Sequence, residues 1–241
     1  MKTVSIIPAR SGSKSIPQKS IIKLGNHPLI AYSIATSLLS KYIQETIVST
    51  DSEKIAAIAK EYGASVPFLR PEEISQDDST DKEFFQHYLD YLKANAIDVP
   101  DLIVHLRPTT PLREINVVDK AIEHMIENKE ATALLSTHKV HWSPFKMFRA
   151  EGGYMVPYFQ YKGLKESFSL PRQTFEDSYV QNGYVDIERP SILINTGLLY
   201  GDKIRMWETD MVSDIDELSD YEFAEKLLSA SKFKQVLDYL G

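Results

Sequence analysis

The sequence predicts an α/β fold: a mostly parallel sheet with helices packed on both faces. Three observations predict it. Apolar runs of strand length alternate with stretches whose apolar residues recur at helical spacing over most of residues 4–136. Several runs, such as Leu102-Ile103-Val104, are continuously apolar, as buried strands are. And 241 residues, 43% hydrophobic and 25% charged, supply enough apolar surface for one large domain spanning residues 1–241.

Val4-Ser5-Ile6-Ile7 reads as the first strand, stopped by Pro8. A polar loop over 9–23 follows, with Gly12, Pro17 and Gly25 as breakers. Leu29, Ile30, Ile34 and Leu38 give residues 29–39 helical spacing, and Thr46, Ile47 and Val48 mark a strand over 45–49. A helix over 52–62 turns Ile55, Ala56, Ile58 and Ala59 inward and ends at Gly63. Then come a strand at 64–68, a helix at 80–94, a strand at 102–106, a helix at 116–126 and a strand at 131–136. The pattern breaks from about Lys139 to Arg189, where Trp142, Phe145, Phe148, Tyr154, Tyr158, Phe159 and Tyr161 crowd together. Residues 139–190 read as an insertion that lids the site, pairs with a second subunit, or both. A strand at 192–200 resumes, Met211-Val212-Ser213 ends another, and a helix over 219–228 closes the fold, with Ser219 and Glu222 at capping-box spacing.

Composition removes several function classes. With 27 Lys plus Arg against 34 Asp plus Glu the net charge is −7, which opposes general nucleic-acid binding but not a small polyanion held by a few clustered cations. No cysteine occurs, so disulfides, thiolate catalysis and thiolate metal sites are excluded. The N-terminus shows no signal-peptide pattern and no apolar run reaches the ~20 residues of a membrane span. A cytoplasmic protein without a membrane partner is the expectation.

Two features carry chemistry, each beside a strand end, where such sheets bind ligands. Arg10-Ser11-Gly12-Ser13-Lys14, followed by Pro17-Gln18-Lys19, sets three cations on a small-residue loop. Backbone N–H groups and cations there suit a triphosphate, although the loop is neither a Walker loop nor a dinucleotide GxGxxG pattern. Taken alone, it reads equally as a solvated basic loop. Asp214 and Asp216 project two carboxylates from one turn, a donor set for Mg²⁺ or, in isolation, simply a turn before the capped helix. Ser79-Thr80-Asp81 opens a helix and reads first as its cap, as do Asp51 and Ser52. His105, His138 and His141 lack metal-ligand spacing and read as structural or peripheral.

The run Ile7-Pro8-Ala9-Arg10-Ser11-Gly12-Ser13-Lys14-Ser15-Ile16-Pro17-Gln18-Lys19 resembles the signature of the CMP-sialic acid synthetases (acylneuraminate cytidylyltransferases), whose form is roughly IPARGGSKGIPGKN. The likeness continues through Val48-Ser49-Thr50-Asp51-Ser52, Arg70-Pro71, the stretch from Leu106 to Arg113, Pro171-Arg172-Gln173, Asn182-Gly183 and Asp214-Ile215-Asp216. Three positions depart from the family: Ser15 for a common Gly, Ser20 for Asn, and Arg107 for the Gln of LQPTSPLR.

The resemblance implies a doubly wound, Rossmann-like fold and a homodimer built on the insertion. It implies CTP and a nonulosonic acid as substrates, with Mg²⁺ as cofactor. It places Ala9, Arg10, Ser11, Gly12, Ser13, Lys14, Lys19, Ser79 and Thr80 at the nucleotide, and Asp214 and Asp216 at the metal. Arg10, Lys19 and Asp214 become the catalytic candidates. Arg107, Thr109, Lys146, Arg172, Gln173 and Asn182 are implied at the sugar, where an Arg at 107 offers a fork of donors to a carboxylate or acyl oxygen. A synthetase for legionaminic acid or another bacterial nonulosonate, and a non-catalytic nucleotide-binding protein on the same fold, remain alternatives.

Overall fold

The computed structural model describes residues 1–212 and 214–241. A six-stranded sheet forms its centre. Its strands are β1 (Thr3–Pro8), β4 (Glu45–Ser49), β5 (Leu102–His105), β6 (Ala133–Val140), β9 (Ser178–Glu188) and β10 (Ile204–Glu208). Their spatial order is β10-β6-β9-β5-β1-β4, with β9 antiparallel to both neighbours and every other pairing parallel. Two hairpins, β2 (Lys23–Leu24) with β3 (His27–Pro28) and β7 (Phe148–Glu151) with β8 (Tyr154–Pro157), stand apart from it.

The strand period of two sorts the core into two layers. Ile7 and Val48 share one cluster with Ile30 and Ile34 of α1 (Leu29–Leu39), Ile55 and Ala59 of α2 (Glu53–Glu61), and Val118, Ile122 and Met125 of α4 (Ile115–Glu127). Val4, Ile6 and Ile103 share another with Phe84, Phe85 and Leu92 of α3 (Asp81–Ala94) and Leu193 of α5 (Pro190–Thr196). Helices therefore cover both faces, as expected of a doubly wound sheet. A third cluster packs Phe233 and Val236, around the start of α7 (Lys234–Leu240), and Ala224 of α6 (Leu218–Leu227) against Leu29 and Tyr32. No helix among the described residues is long and apolar enough to cross a membrane.

Local chemistry fixes the helix starts that matter below. Ser52 caps α2 by accepting from the Ile55 N–H, while Thr80 and Glu83 close a capping box on α3. The box expected from Ser219 and Glu222 forms instead from Glu217 and Asp220, whose carboxylate takes the Glu217 N–H at 2.8 Å.

Four expectations about elements change. Residues 192–200 are not a strand: Pro190 at the first helical position and Gly197 in a left-handed cap punctuate a helix, α5, and the sheet strand is β10. Residues 64–68 form no strand: Ser65 makes an isolated bridge to Ile47 of β4, and Leu69, just beyond them, one to Thr50. The tract 139–190 is not all outside the sheet, because β6 runs to Val140 and residues 178–188 are its central antiparallel strand. The strand expected to end at 211–213 is not formed at Met211 and Val212, and Ser213 lies outside the described residues.

β9 carries a bulge. Leu135 faces Asp186 and Thr137 faces Gln181, so several β9 residues oppose the single Ser136. Gly183, at φ +64°, makes the bend, and the Arg107 side chain lies 3.4 Å from where a Cβ would stand. The carbonyls freed there are taken by Arg113, which is fully buried and donates to Tyr184, to Gly183 at 3.2 Å and to the Arg107 carbonyl at 2.9 Å. Burial pushes this guanidinium down to about 9, against weaker help from neighbouring groups.

Candidate active site

The polar loop after β1, the start of α3 and the loop after β5 meet at the carboxyl ends of the strands. They enclose a cleft of about 270 Å³ lined, among others, by Arg10, Gly12, Lys19, Thr80, Arg107 and Asp216. Ser13, Ser79 and Thr109 line it too, so most of the predicted nucleotide residues converge. Ala9 is buried beneath, donating its N–H to Ser49 at 2.9 Å. Ser11 turns away, giving its N–H (2.7 Å) and hydroxyl (2.5 Å) to Asp51, which therefore holds the loop while Ser52 caps the helix.

Each expected phosphate cation has a carboxylate beside it. Arg10 Nη1 lies 2.7 Å and Lys14 Nζ 2.5 Å from the two oxygens of Asp77, and Lys19 Nζ donates to Asp216 at 2.8 Å. Lys14 and then Arg10 hold the Asp77 carboxyl below the usual carboxylate range.

The Asp-x-Asp turn is anchored through its middle residue. Ile215 is fully buried and its N–H donates to the Thr109 carbonyl at 2.8 Å, which leaves both flanking carboxylates outside the core. Asp214 presents surface to solvent yet is crowded by the protein on its other sides. That desolvation raises its pKa, the Thr109 hydroxyl opposes it, and the nearby Asp216 adds to it.

Arg107 spans the floor of the cleft. Its Nη2 donates to Asp81 at 2.8 Å and its Nη1 to Asp186, a fully buried carboxylate that also takes Ser136 N–H at 3.1 Å and Gln181 Nε2 at 2.9 Å. Burial works against the Arg107 charge, but Asp186 and Asp81 outweigh it and push the pKa up. Behind lie His105 and Glu188, 4.0 Å apart and closed to solvent, with no hydrogen-bond partner for either side chain among the described residues. Burial holds the His105 ring well below and the Glu188 carboxyl well above their ordinary values, so each is pushed toward its neutral form.

The chain matches the model of the cytidylyltransferase family over residues 4–167. It belongs to that family. It is 30% identical to a pseudaminic acid cytidylyltransferase of Campylobacter jejuni over 94% of this chain and 96% of that one. It is 31% identical to a CMP-N,N'-diacetyllegionaminic acid synthase of Legionella pneumophila, with 96% and 98% covered. An N-acylneuraminate cytidylyltransferase of Escherichia coli is 30% identical over 92% of this chain but 51% of its own length. In fold it is similar to a CMP:2-keto-3-deoxy-manno-octonic acid synthetase solved with CTP, at TM-score 0.67 and 15% identity over 95% and 99% of the two chains.

In this cytidylyltransferase the remaining predicted sugar residues stand elsewhere. Arg172 and Gln173 line a separate depression of about 310 Å³ with His141 and Trp142, and Arg172 Nη2 meets His141 Nδ1 at 3.1 Å. Lys146 donates to the Phe168 carbonyl at 2.9 Å and sits over the Phe175 ring. Asn182 donates to Thr209 at 2.8 Å and its side-chain oxygen accepts from the Tyr184 N–H.

Sequence reasoning overlooked Asp77, Asp186 and the wall formed by Arg70 and Phe84, and read Asp81 only as part of a helix start, not as a partner of Arg107. Arg70 stands 5.5 Å over the Phe84 ring and donates to the Ser49 carbonyl at 2.6 Å; burial pushes its pKa down to about 10. The Arg70-Pro71 pair in the motif series was the one available signal for it.

Proposed function

We propose that this cytidylyltransferase transfers CMP from CTP to the anomeric hydroxyl of a nonulosonic acid and releases pyrophosphate. The observation that carries the reading is the convergence in one cleft of the cation loop, the Ser79-Thr80 segment, the Arg107–Thr109 loop and the Asp-x-Asp turn. Relatives named for pseudaminic, legionaminic and N-acylneuraminic acids match at 30, 31 and 30% identity, so the class of acceptor is supported and no single member is favoured.

Arg10, Lys14 and Lys19 would neutralise the triphosphate, with the small residues Gly12 and Ser13 allowing the backbone close to it. Asp214 and Asp216 fit Mg²⁺: both are hard oxygen donors outside the core, and Mg²⁺ commonly takes one or two carboxylates plus substrate phosphates. When bound, the ion supplies charge stabilisation at the attacked phosphate and the leaving oxygen. The raised pKa of Asp214 suits a group that accepts the proton of the attacking hydroxyl.

A homodimer is the second part of the reading. Lys146, Arg172 and Gln173 are not among the residues lining the cleft of their own chain, and Trp142, Tyr154 and Phe159 in the same tract are 63, 78 and 54% exposed. That arrangement supports an acceptor end completed by the tract of a second copy. The cytoplasm, which holds the CTP pool, is the compartment proposed.

The test is pyrophosphate release measured with CTP, Mg²⁺ and a panel of nonulosonic acids. All three components are required on this reading. Full turnover in EDTA, or equal rates with ATP in place of CTP, overturns it.

A further inference from the structure

Arg10 and Lys14, two of the cations assigned to the triphosphate, both have their charge spent on one side chain. Asp77 gives Oδ1 to Arg10 Nη1 at 2.7 Å and Oδ2 to Lys14 Nζ at 2.5 Å, which joins the β1 loop to the turn at residues 76–79. That turn is held by its own bonds: Gln76 N–H to Ser79 Oγ at 2.9 Å, Ser79 N–H to Gln76 carbonyl at 3.2 Å, and Gln76 Nε2 to Glu72 carbonyl at 2.8 Å. It needs no ion pair to keep its shape.

The three side chains are 34, 85 and 40% exposed for Arg10, Lys14 and Asp77, and exposed pairs of this kind contribute little to folding. The carboxylate presents two oxygens to two cations, as a phosphate group would. Asp51 and Asp216 have other work nearby, one holding Ser11 and the other on the Asp-x-Asp turn. Asp77 has none.

We propose that Asp77 is a positioning residue that competes with the polyphosphate for Arg10 and Lys14, and so weakens pyrophosphate retention after transfer. It acts through the two cations and touches no reacting atom. The incoming triphosphate, with more charge and more oxygens, displaces it; once the nucleotide monophosphate has been transferred, Asp77 returns to the cations and the shorter anion leaves. This rests on the proposed reading of the loop as a phosphate site.

The test uses Asp77→Asn, which keeps the shape and removes the charge, with Asp77→Ala as the second variant. Calorimetry with inorganic pyrophosphate and Mg²⁺, without nucleotide, reads the competition directly. Two exposed pairs correspond to about five-fold in binding. Pyrophosphate should therefore bind about five-fold more tightly to either variant and inhibit turnover at correspondingly lower concentration. The KM for CTP should fall, inhibition by CMP should stay unchanged, and the gain should shrink in high salt. Pyrophosphate binding that is unchanged or weaker in both variants overturns the proposal, weaker binding meaning that Asp77 orients the cations instead. If wild type binds pyrophosphate but shows no CTP-dependent turnover, the proposed function falls and the Asp77 comparison still stands. If neither wild type nor variant binds pyrophosphate, both fall.

Discussion

Replacing Arg107 by glutamine tests whether the guanidinium braces the sheet or serves the acceptor. The side chain is 21% exposed, Asp186 is fully enclosed and Asp81 is 38% exposed, so the two halves of the bridge are unequal. Removing one partner of a buried pair costs about 3–5 kcal/mol, because the other charge is stranded. Asp186 keeps Ser136 and Gln181, which draws the figure toward the lower end. The exposed half adds less than about 1 kcal/mol. A loss of about 3–4 kcal/mol in a chain of this length lowers Tm by roughly 10 °C. Thermal and urea unfolding of Arg107→Gln measure it, and Asp186→Asn in the same background should recover at least half by removing the stranded charge. A single variant within about 1 kcal/mol of wild type, or no recovery in the double variant, refutes the bracing argument. The acceptor panel is the independent arm: a preference moved about tenfold toward N-acetylneuraminic acid would show that Arg107 also meets the sugar.

Asp216→Asn should reduce turnover thousands-fold, since a lost Mg²⁺ contact at the transferring phosphate costs several kcal/mol of barrier, while circular dichroism stays native because the side chain is largely exposed; activity within tenfold of wild type rejects the assignment. Glu188→Gln should change how stability depends on pH. The folded state keeps the Glu188 proton that the unfolded chain releases near 4.5, so this group's contribution falls with rising pH, by about 1.4 kcal/mol per unit, up to its raised folded value. His105, pushed toward its neutral form, contributes the opposite slope only below 6.5; it is common to wild type and variant, so the difference between their urea melts above pH 4.5 isolates Glu188, and an unchanged slope there contradicts the raised carboxyl. Sedimentation at micromolar concentration should give a dimer, and Tyr154→Glu with Trp142→Glu should weaken it; a wild-type monomer counts against the shared site.

Much of the fold is legible because strand and helix periods are local properties. The strands β1, β4, β5 and β6 and the helices from α1 to α4 follow from apolar spacing, and Thr80 at the start of α3 from its cap chemistry. The failures are places where local signals compete. Ile192-Leu193-Ile194 looks like strand material, yet Pro190 and Gly197 set a helix. β9 hides because it lies in the tract read as an insertion and because Asn-Gly, a pair common in turns, sits at 182–183, where it makes a bulge inside a strand. The site shows the same division. Arg10, Lys19 and Asp216 stand on motifs and could be named, but Asp77 meets Arg10 across 67 positions and Asp186 meets Arg107 across 79. Nothing local marks a carboxylate whose partner comes from another strand's loop.

The late strand β9 also decides the order in which this protein can be assembled. β5 and β6 are consecutive strands of the sheet along the chain, yet they share no ladder; β9 lies between them and bonds to both. Until residue 188 has emerged from the ribosome, β1, β4 and β5 form one partial sheet and β6 has no partner from that half. Each then presents a bare edge of unpaired N–H and C=O groups, the kind of surface on which nascent chains associate wrongly. The residues synthesised between β6 and β9 lengthen that interval. A fragment ending before Ser178 thus lacks the seam that joins the halves, and should be captured by chaperones or aggregate rather than persist as a smaller enzyme.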